Sequence, residues 1–328
     1  MANNFVRMTE EEKLLVKGKP AKDFVGHRKI FFILSLAIIG IGLICNFIFG
    51  TTLDIQFTGG SMIKYSYTET KDFKLDELKS LVQKATPDDV VTFSYSKDMV
   101  NDKNVLTVQF SGTNTITTKL QKSITKQIQE KFPDNKFVLE QNSSVDATMG
   151  FSFLLKCLFA VAIAAVLMVL YVTIRFKKIG GFSAGVFGLV ALFHDIAIIY
   201  FFYVIFRMPI DSSFMAVALM ILGYSLNDTV VVYDRVREER KRIGYKADIK
   251  DVFNVAATKV MRRTIITSIT TITAVVIVYV LAFIYNLDSV KAFALPMIIG
   301  LVSGCYSSLC IAGPLWVMWK KRDKKSDK

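Results

Sequence analysis

Three places in the sequence put an ionisable group inside or at the head of an apolar run. Asp195 closes Leu192-Phe193-His194-Asp195, and Asp228 lies in Gly223-Tyr224-Ser225-Leu226-Asn227-Asp228-Thr229. Arg262-Arg263 heads the run that follows Met261. A carboxylate in hydrocarbon costs several kcal/mol unless it is paired or neutralised. Two readings follow for each acid. It is a neutral group hydrogen-bonded between helices, or it binds and releases protons. The relay reading is the sharper for both, and more so for Asp228, which has a candidate partner in Arg263; Asn227 beside it joins the candidate relay.

Helical phase separates the two arginines. Arg262 is followed at i+3, i+4 and i+7 by Ile265, Ile266 and Ile269, a lipid-facing stripe from which its head group snorkels to the interface. Arg263 is followed at i+4 and i+7 by Thr267 and Thr270, beside a hydroxyl stripe of Thr264, Thr267, Ser268 and Thr271, so it is expected to face protein. The hydroxyls themselves also suit close helix packing. Asp234-Arg235 opens a charged run that reads as a solvated helix end. Gly300-x-x-x-Gly304, continued by Ser303, Ser307 and Ser308, reads as a small-residue packing face.

Other chemistry is poorly supplied. His27 and His194 are the only histidines, and no HExxH, GxSxG or phosphate-cradling glycine loop is present,. The expectation is a protein that is not an enzyme, with no catalytic residues, no metal site and no cofactor other than protons. Cys45, Cys157, Cys305 and Cys310 all fall in apolar runs, without a disulfide framework or CxxC pair,.

The elements that must carry these groups are membrane spans. Of the 328 residues 52% are hydrophobic, 21% are charged, and the net charge is +13; mean hydropathy is +0.41. A soluble chain of this length cannot enclose so much apolar surface, and 26 Phe with 12 Tyr exclude disorder,. Six runs can cross about 30 Å of hydrocarbon: 30–49, 151–174, 182–206, 212–233, 264–285 and 292–319. The first is too long for the apolar core of a signal peptide and has no cleavage pattern after it. The tail 1–29, the turn at 175–181, a basic loop at 235–263 and the tail 320–328 together hold 26 of the 41 basic residues. The positive-inside rule puts them, and both termini, in the cytoplasm. They flank spans and lack aromatic platforms, so contact with membrane lipid explains a pI near 9.4 better than nucleic acid does,.

Residues 50–150 fall on the other side, with 12 basic and 13 acidic residues. Alternation predicts strands at 61–68, 90–96, 105–110 and 136–143, with a loop at 97–104. Spacings of three and four predict helices at 74–85 and 115–131. The order is βαββαβ, the ferredoxin-like arrangement. The fold class is therefore an α-helical integral membrane protein with six transmembrane helices and an α+β ferredoxin-like extracytoplasmic domain between helices 1 and 2.

Several of these stretches resemble one family. Leu53-Asp54-Ile55-Gln56-Phe57-Thr58-Gly59-Gly60 is similar to the D-F-x-G-G signature of the SecD/SecF family, and residues Gly223 to Arg235 resemble its SecF-branch fourth-span motif, with Asp228, Asp234 and Arg235 in register. Arg263-Thr264-Ile265-Ile266-Thr267-Ser268 is similar to the fifth-span motif, and His194-Asp195 to the third-span pair. The resemblance implies an export subunit of the resistance–nodulation–division superfamily in the bacterial cytoplasmic membrane. It implies work with a partner, SecD, whose own six spans complete a twelve-span unit. It further implies assistance to the SecYEG channel with SecA, drawing a translocating polypeptide outward on the proton-motive force. Asp228 and Arg263 would then belong to the proton path. A stand-alone exporter of small molecules or lipid, and a non-conducting translocon scaffold, remain the alternatives. Arg262 departs from the motif, and helical phase alone sets it aside.

Overall fold

The computed structural model describes residues 15–16, 18–68, 74–86, 90–98, 103–111, 117–285 and 287–326. The tail before residue 15, the loop centre at 99–102 and the expected helix start at 115–116 lie outside the described residues.

Helix α1 (Arg28–Phe49) precedes a small domain of β1 (Gly60–Tyr67), α2 (Leu75–Ala85), β2 (Val90–Asp98), β3 (Lys103–Ser111), α3 (Thr118–Lys131) and β4 (Val138–Val145). Then follow α4 (Ala147–Arg175), α5 (Gly181–Ile205), α6 (Ser212–Ile243), α7 (Ile249–Ile284), α8 (Asp288–Ser307) and α9 (Gly313–Ser326). A π-helical turn, Ser308–Ala312, joins α8 to α9. By length and composition, α1, α4, α5, α6, α7 and the joined α8–α9 can each cross a membrane.

The four strands form one antiparallel sheet in the order β2-β3-β1-β4. Period-two alternation turns Ile63, Tyr65 and Tyr67 of β1 and Leu106, Val108 and Phe110 of β3 to one face,. Leu78 and Val82 of α2 and Ile124 and Ile128 of α3 close over it. Each such side chain contributes about 1.5–3 kcal/mol when fully buried.

A short joint ties this domain to the bundle. Asp54 accepts the Gln56 N–H at 2.9 Å, capping the helical turn Ile55–Thr58, and accepts Gln109 Nε2 of β3 at 2.7 Å. The Asp54 N–H donates to the Ile210 carbonyl and the Ile210 N–H to that of Thr52, stitching the joint to the α5–α6 loop. Gly59 has φ +76°, and a Cβ there would lie 2.3 Å from the Ala147 Cα at the start of α4. Only glycine satisfies both the left-handed backbone and that approach. The signature Asp54…Gly59-Gly60 thus has a mechanical reason: it holds α1, the sheet, α4 and the α5–α6 loop at one point.

At the opposite end the structure departs from expectation. The segment 235–263, expected as a basic loop, is helical except for a turn at 244–248. Arginine, glutamate and lysine favour helix and pair at i+3 and i+4, as Arg235 does with Glu238 and Glu239,. Gly244, at φ +114°, ends α6, and Asp248 caps α7 by accepting the Lys250 N–H. Val236, Ile243, Val252, Phe253 and Val260 bury between the two helix ends.

Close packing in the bundle depends on Gly300 of α8. A Cβ on Gly300 would lie 2.6 Å from Ile221 and 2.9 Å from Ile199, whereas one on Gly223 would meet nothing within 4 Å. Gly300→Leu should therefore destabilise the bundle by about 1–3 kcal/mol through overpacking, lowering the yield of monodisperse protein in mild detergent. Gly223→Leu in the isolated chain should not. Equal yields for the two variants would show that α8 does not pack as described.

Candidate functional site

Asp195, on α5, has no exposed surface. Its Oδ1 accepts Ser303 Oγ at 2.6 Å and lies 3.2 Å from His194 Nδ1. Its Oδ2 accepts Ser307 Oγ at 2.7 Å and Ser225 Oγ at 3.1 Å. Three helices thus converge on one carboxylate, and its acceptor sites are filled by hydroxyls and an imidazole rather than by Lys or Arg. Hydrogen bonds to a charged group are the strong ones. Gly304 lies against the cluster: a Cβ there would sit in ordinary contact, 3.7 Å from Asp195 Oδ2 and 3.5 Å from Ser225 Cβ.

Asp228, on α6, is buried at 3% exposure, yet its Oδ2 has no hydrogen-bond partner. The Arg263 charge reaches it through space, but among the described residues no ion pair joins the two. The inward stripe of α7 is Val260, Thr264 and Ser268. Arg263 lies on the flank of that stripe and Arg262 almost opposite it, as 100° per residue requires. Both arginines are exposed, and both line a cavity of about 1010 Å³ at the basic end with Arg175, Asp234, Arg235 and Lys259. The expectation that Arg263 faces protein holds only as a flank position within this chain. Thr267 and Thr270 are exposed beside it, their hydroxyls bonded to backbone carbonyls of α7 itself.

Thr264 is buried with its hydroxyl unpartnered, and Ser268 accepts Tyr224 OH at 3.4 Å. Asn227 is exposed, as is Gly223 one turn before it. Both lie on a face of α6 that the described residues leave uncovered, so the structure does not bring Asn227 into a buried site with Asp228. Asp234 pairs with Arg175 at 3.2 Å and Arg237 at 2.6 Å, tying α4 to α6 at the helix end.

Two features escaped the sequence reading. The serines of α8 read as packing residues, but they are also donors to Asp195. The signal was present: a carboxylate inside a span needs donors, and Ser303 and Ser307, four apart, share one helix face. The second is a latch from the N-terminal segment. Asp23 accepts Lys250 Nζ and Asn254 Nδ2, both at 2.8 Å, and the Gly26 N–H at 2.7 Å. Burial works upward on its carboxyl, but the bonds from Lys250, Gly26 and Asn254 prevail and hold it at about 2.

Residues 123–322 match the family model described as protein export membrane protein SecD/SecF, C-terminal. The protein translocase subunit SecF of Petrotoga mobilis is 33% identical over 94% of this chain and 99% of its own length. The protein translocase subunit SecDF of Bacillus subtilis is 33% identical over 93% of this chain, which spans only 39% of that relative. Among solved structures, SecDF of Thermus thermophilus, described as a translocon-associated membrane protein, superposes with a TM-score of 0.74 at 24% identity, covering 92% of this chain and 39% of that one. SecDF in a super-membrane-facing form gives 0.59 at 22%, covering 94% and 40%.

Proposed function

The chain belongs to the SecD/SecF family of protein export membrane proteins, and from that premise we propose that it is the SecF-type subunit of a complex that assists Sec-dependent protein translocation. Its place is the bacterial cytoplasmic membrane, and its energy source is the proton-motive force. The observation that carries this reading is Asp228: a buried carboxyl with an unpartnered oxygen, within reach of the Arg263 charge, beside a helix face that the described residues leave uncovered. An unpaired buried carboxyl is costly and marks function more often than packing. The two groups are one switchable pair, and the lack of an ion pair between them among the described residues supports a released state. Protonation of Asp228 frees Arg263; deprotonation draws the guanidinium back and moves α6 against α7.

The open face with Gly223 and Asn227 suits a second six-span unit, SecD, since small residues let helices approach and an amide at membrane depth finds a partner there. The 39% span of the longer relative supports the same reading. Asn227 then serves that interface rather than carrying protons. The SecYEG channel with SecA, a translocating polypeptide and anionic lipid are the further partners. Strand order β2-β3-β1-β4 with two helices on one face supports a ferredoxin-like domain. Affinity purification of the tagged chain from its host in mild detergent should bring down SecD and SecYEG together; recovery of the chain alone from native membranes would favour a stand-alone exporter.

The basic helix ends belong in the cytoplasm and the sheet domain outside. A cysteine at Lys126, on the exposed side of α3, should react with an impermeant thiol reagent applied to intact cells lacking an outer barrier. One at Lys246, exposed in the α6–α7 turn, should react only after lysis. The reverse pattern overturns the orientation.

A further inference from the structure

Ser225 does not end the polar cluster at Asp195. Its Oγ lies 3.5 Å from Ser308 Oγ, which in turn accepts Thr229 Oγ1 at 3.3 Å. Ser225, Ser308 and Thr229 are all at least 97% buried. Thr229 follows Asp228 on α6, so a file of three hydroxyls leads from the neighbourhood of one acid to the other. Ser308 has a choice of acceptors: the Gly304 carbonyl at 2.9 Å, the Ser225 carbonyl at 3.3 Å and Ser225 Oγ. It is also the first residue of the π turn Ser308–Ala312. Single π turns within helices concentrate at functional sites, and the extra residue lets successive side chains reach one side. Here Ser307 donates to Asp195 while Ser308, next in sequence, meets Ser225 and Thr229.

We propose that Asp195 is a second proton-binding site of the bundle, loaded through Thr229, Ser308 and Ser225, with the Ser308 hydroxyl as its gate. This rests on reading the bundle as a proton path but does not require Arg263. With Ser308 turned to the Gly304 carbonyl, the file is broken. Turned to Ser225 Oγ, it runs in one direction. A proton arriving at Thr229 Oγ1 from a hydronium or a protonated carboxyl displaces that hydroxyl's own proton to Ser308. The Ser308 proton passes to Ser225, and the Ser225 proton to Asp195 Oδ2. Each hydroxyl ends intact with its direction reversed, and the carboxylate has become a neutral acid. That acid donates its new O–H to Ser225 Oγ, whose own hydrogen now points to Ser308, so the contact with α6 persists with its direction reversed. The bonds from Ser303 and Ser307 lose their charged acceptor and weaken,, and Asp195 thereby loosens its hold on α8.

The other ionisable groups around the cluster are His194 on α5, Asp228 on α6, Cys305 and Tyr306 on α8, and Cys310 in the π turn. Among the described residues no Lys or Arg pairs with Asp195.

The test is infrared difference spectroscopy of the full chain in lipid nanodiscs, following the protonated-carboxyl stretch as pH is stepped. D195N should delete one titrating band and D228N a different one. S303A removes a hydrogen bond to Oδ1, so the Asp195 band should move in frequency while the Asp228 band stays in place,. S308A should leave both bands in place and slow proton uptake at Asp195 after a pH jump by roughly tenfold, the cost of losing about 1.4 kcal/mol from the path. S303A and S308A keep the carboxyl and so decide the matter even if D195N does not assemble. A D195N spectrum identical to wild type, an unmoved Asp195 band in S303A, or a band that responds to sodium at constant pH overturns the proposal. An Asp228 band present without an Asp195 band sinks this site alone; the converse sinks the Asp228–Arg263 pair and leaves this site in place.

Discussion

Asp228→Asn should leave the protein assembled and bring proton-driven export down to the level seen without a gradient. Asparagine matches the shape of the protonated acid but cannot ionise, so in the proposed switch it fixes the pair in the released state. Oδ2 of Asp228 already lacks a partner, so the substitution breaks no hydrogen bond there, and its cost to folding should be small. Arg263→Met should have the same effect on export, because it removes the charge that distinguishes the two states of Asp228. Arg262→Met is the control. That side chain lies about 100° farther round α7 from the inward stripe, and its loss should reduce export only mildly. Translocation into vesicles containing the purified complex, with and without an imposed gradient, measures all three. Full gradient dependence in Asp228→Asn would make the carboxyl structural. Activity in Arg263→Met with loss in Arg262→Met would reverse the assignment of the two arginines.

Those residues also show what a sequence carries on its surface. The six spans and the sheet elements were legible because burial imposes periodicity. Leu106, Val108 and Phe110 alternate, Ile124 and Ile128 are four apart, and each pattern is local. Strand ends were less so: β3 runs to Lys103 because it pairs there with Asp98, a fact of two strands rather than one. The phase of Arg262 against Arg263 was readable from one helix, but the exposure of both was not, since it depends on what lies beside α7. The donors of Asp195 were hidden for another reason. A serine in a span packs closely and bonds well, and only the position of α5 decides which use is made of Ser303 and Ser307.

The charged end of the bundle illustrates the same limit. Between 235 and 263 the density of Arg, Lys and Glu masks the apolar spacing of Val236 and Ile243, and of Val252 and Val260, so the segment read as a loop. Its helices matter for the site because they extend the two that carry it. Glu239 lies three turns beyond Asp228 on α6, and Lys259 one turn before Arg263 on α7. Their ion pair, at 2.7 Å, joins α6 to α7 at that end.

Glu239→Leu should accordingly be the most destabilising single change at that end. Glu239 is 1% exposed and is bonded by Lys259 Nζ at 2.7 Å, Arg235 Nη2 at 2.8 Å and Arg242 Nε. Removing it leaves Lys259 and Arg242 without this counter-charge and Arg235 with Glu238 alone; a buried pair broken from one side costs about 3–5 kcal/mol, and the partial exposure of the cations brings the cost below that,. Arg235→Met removes one cation of three and leaves the others to neutralise the carboxylate, so it should cost much less. Burial works upward on the Glu239 carboxyl, but the bonds from Lys259 and Arg242 prevail and hold it below its usual 4.5. A lowered folded-state value means the stabilisation is complete above about pH 4.5, the unfolded value. It is lost as pH falls through the folded one. Thermal melts in detergent should therefore separate wild type from Glu239→Gln by a constant margin from pH 7 to about pH 5 and by a shrinking one below that. The same melts should place Glu239→Leu lowest at pH 7. A margin that widens on acidification would mean that the cations do not hold Glu239 in its charged form. A Glu239→Leu melt equal to that of wild type would mean that α6 and α7 are joined by their apolar contacts alone, leaving the spacing of Asp228 and Arg263 independent of this ion cluster.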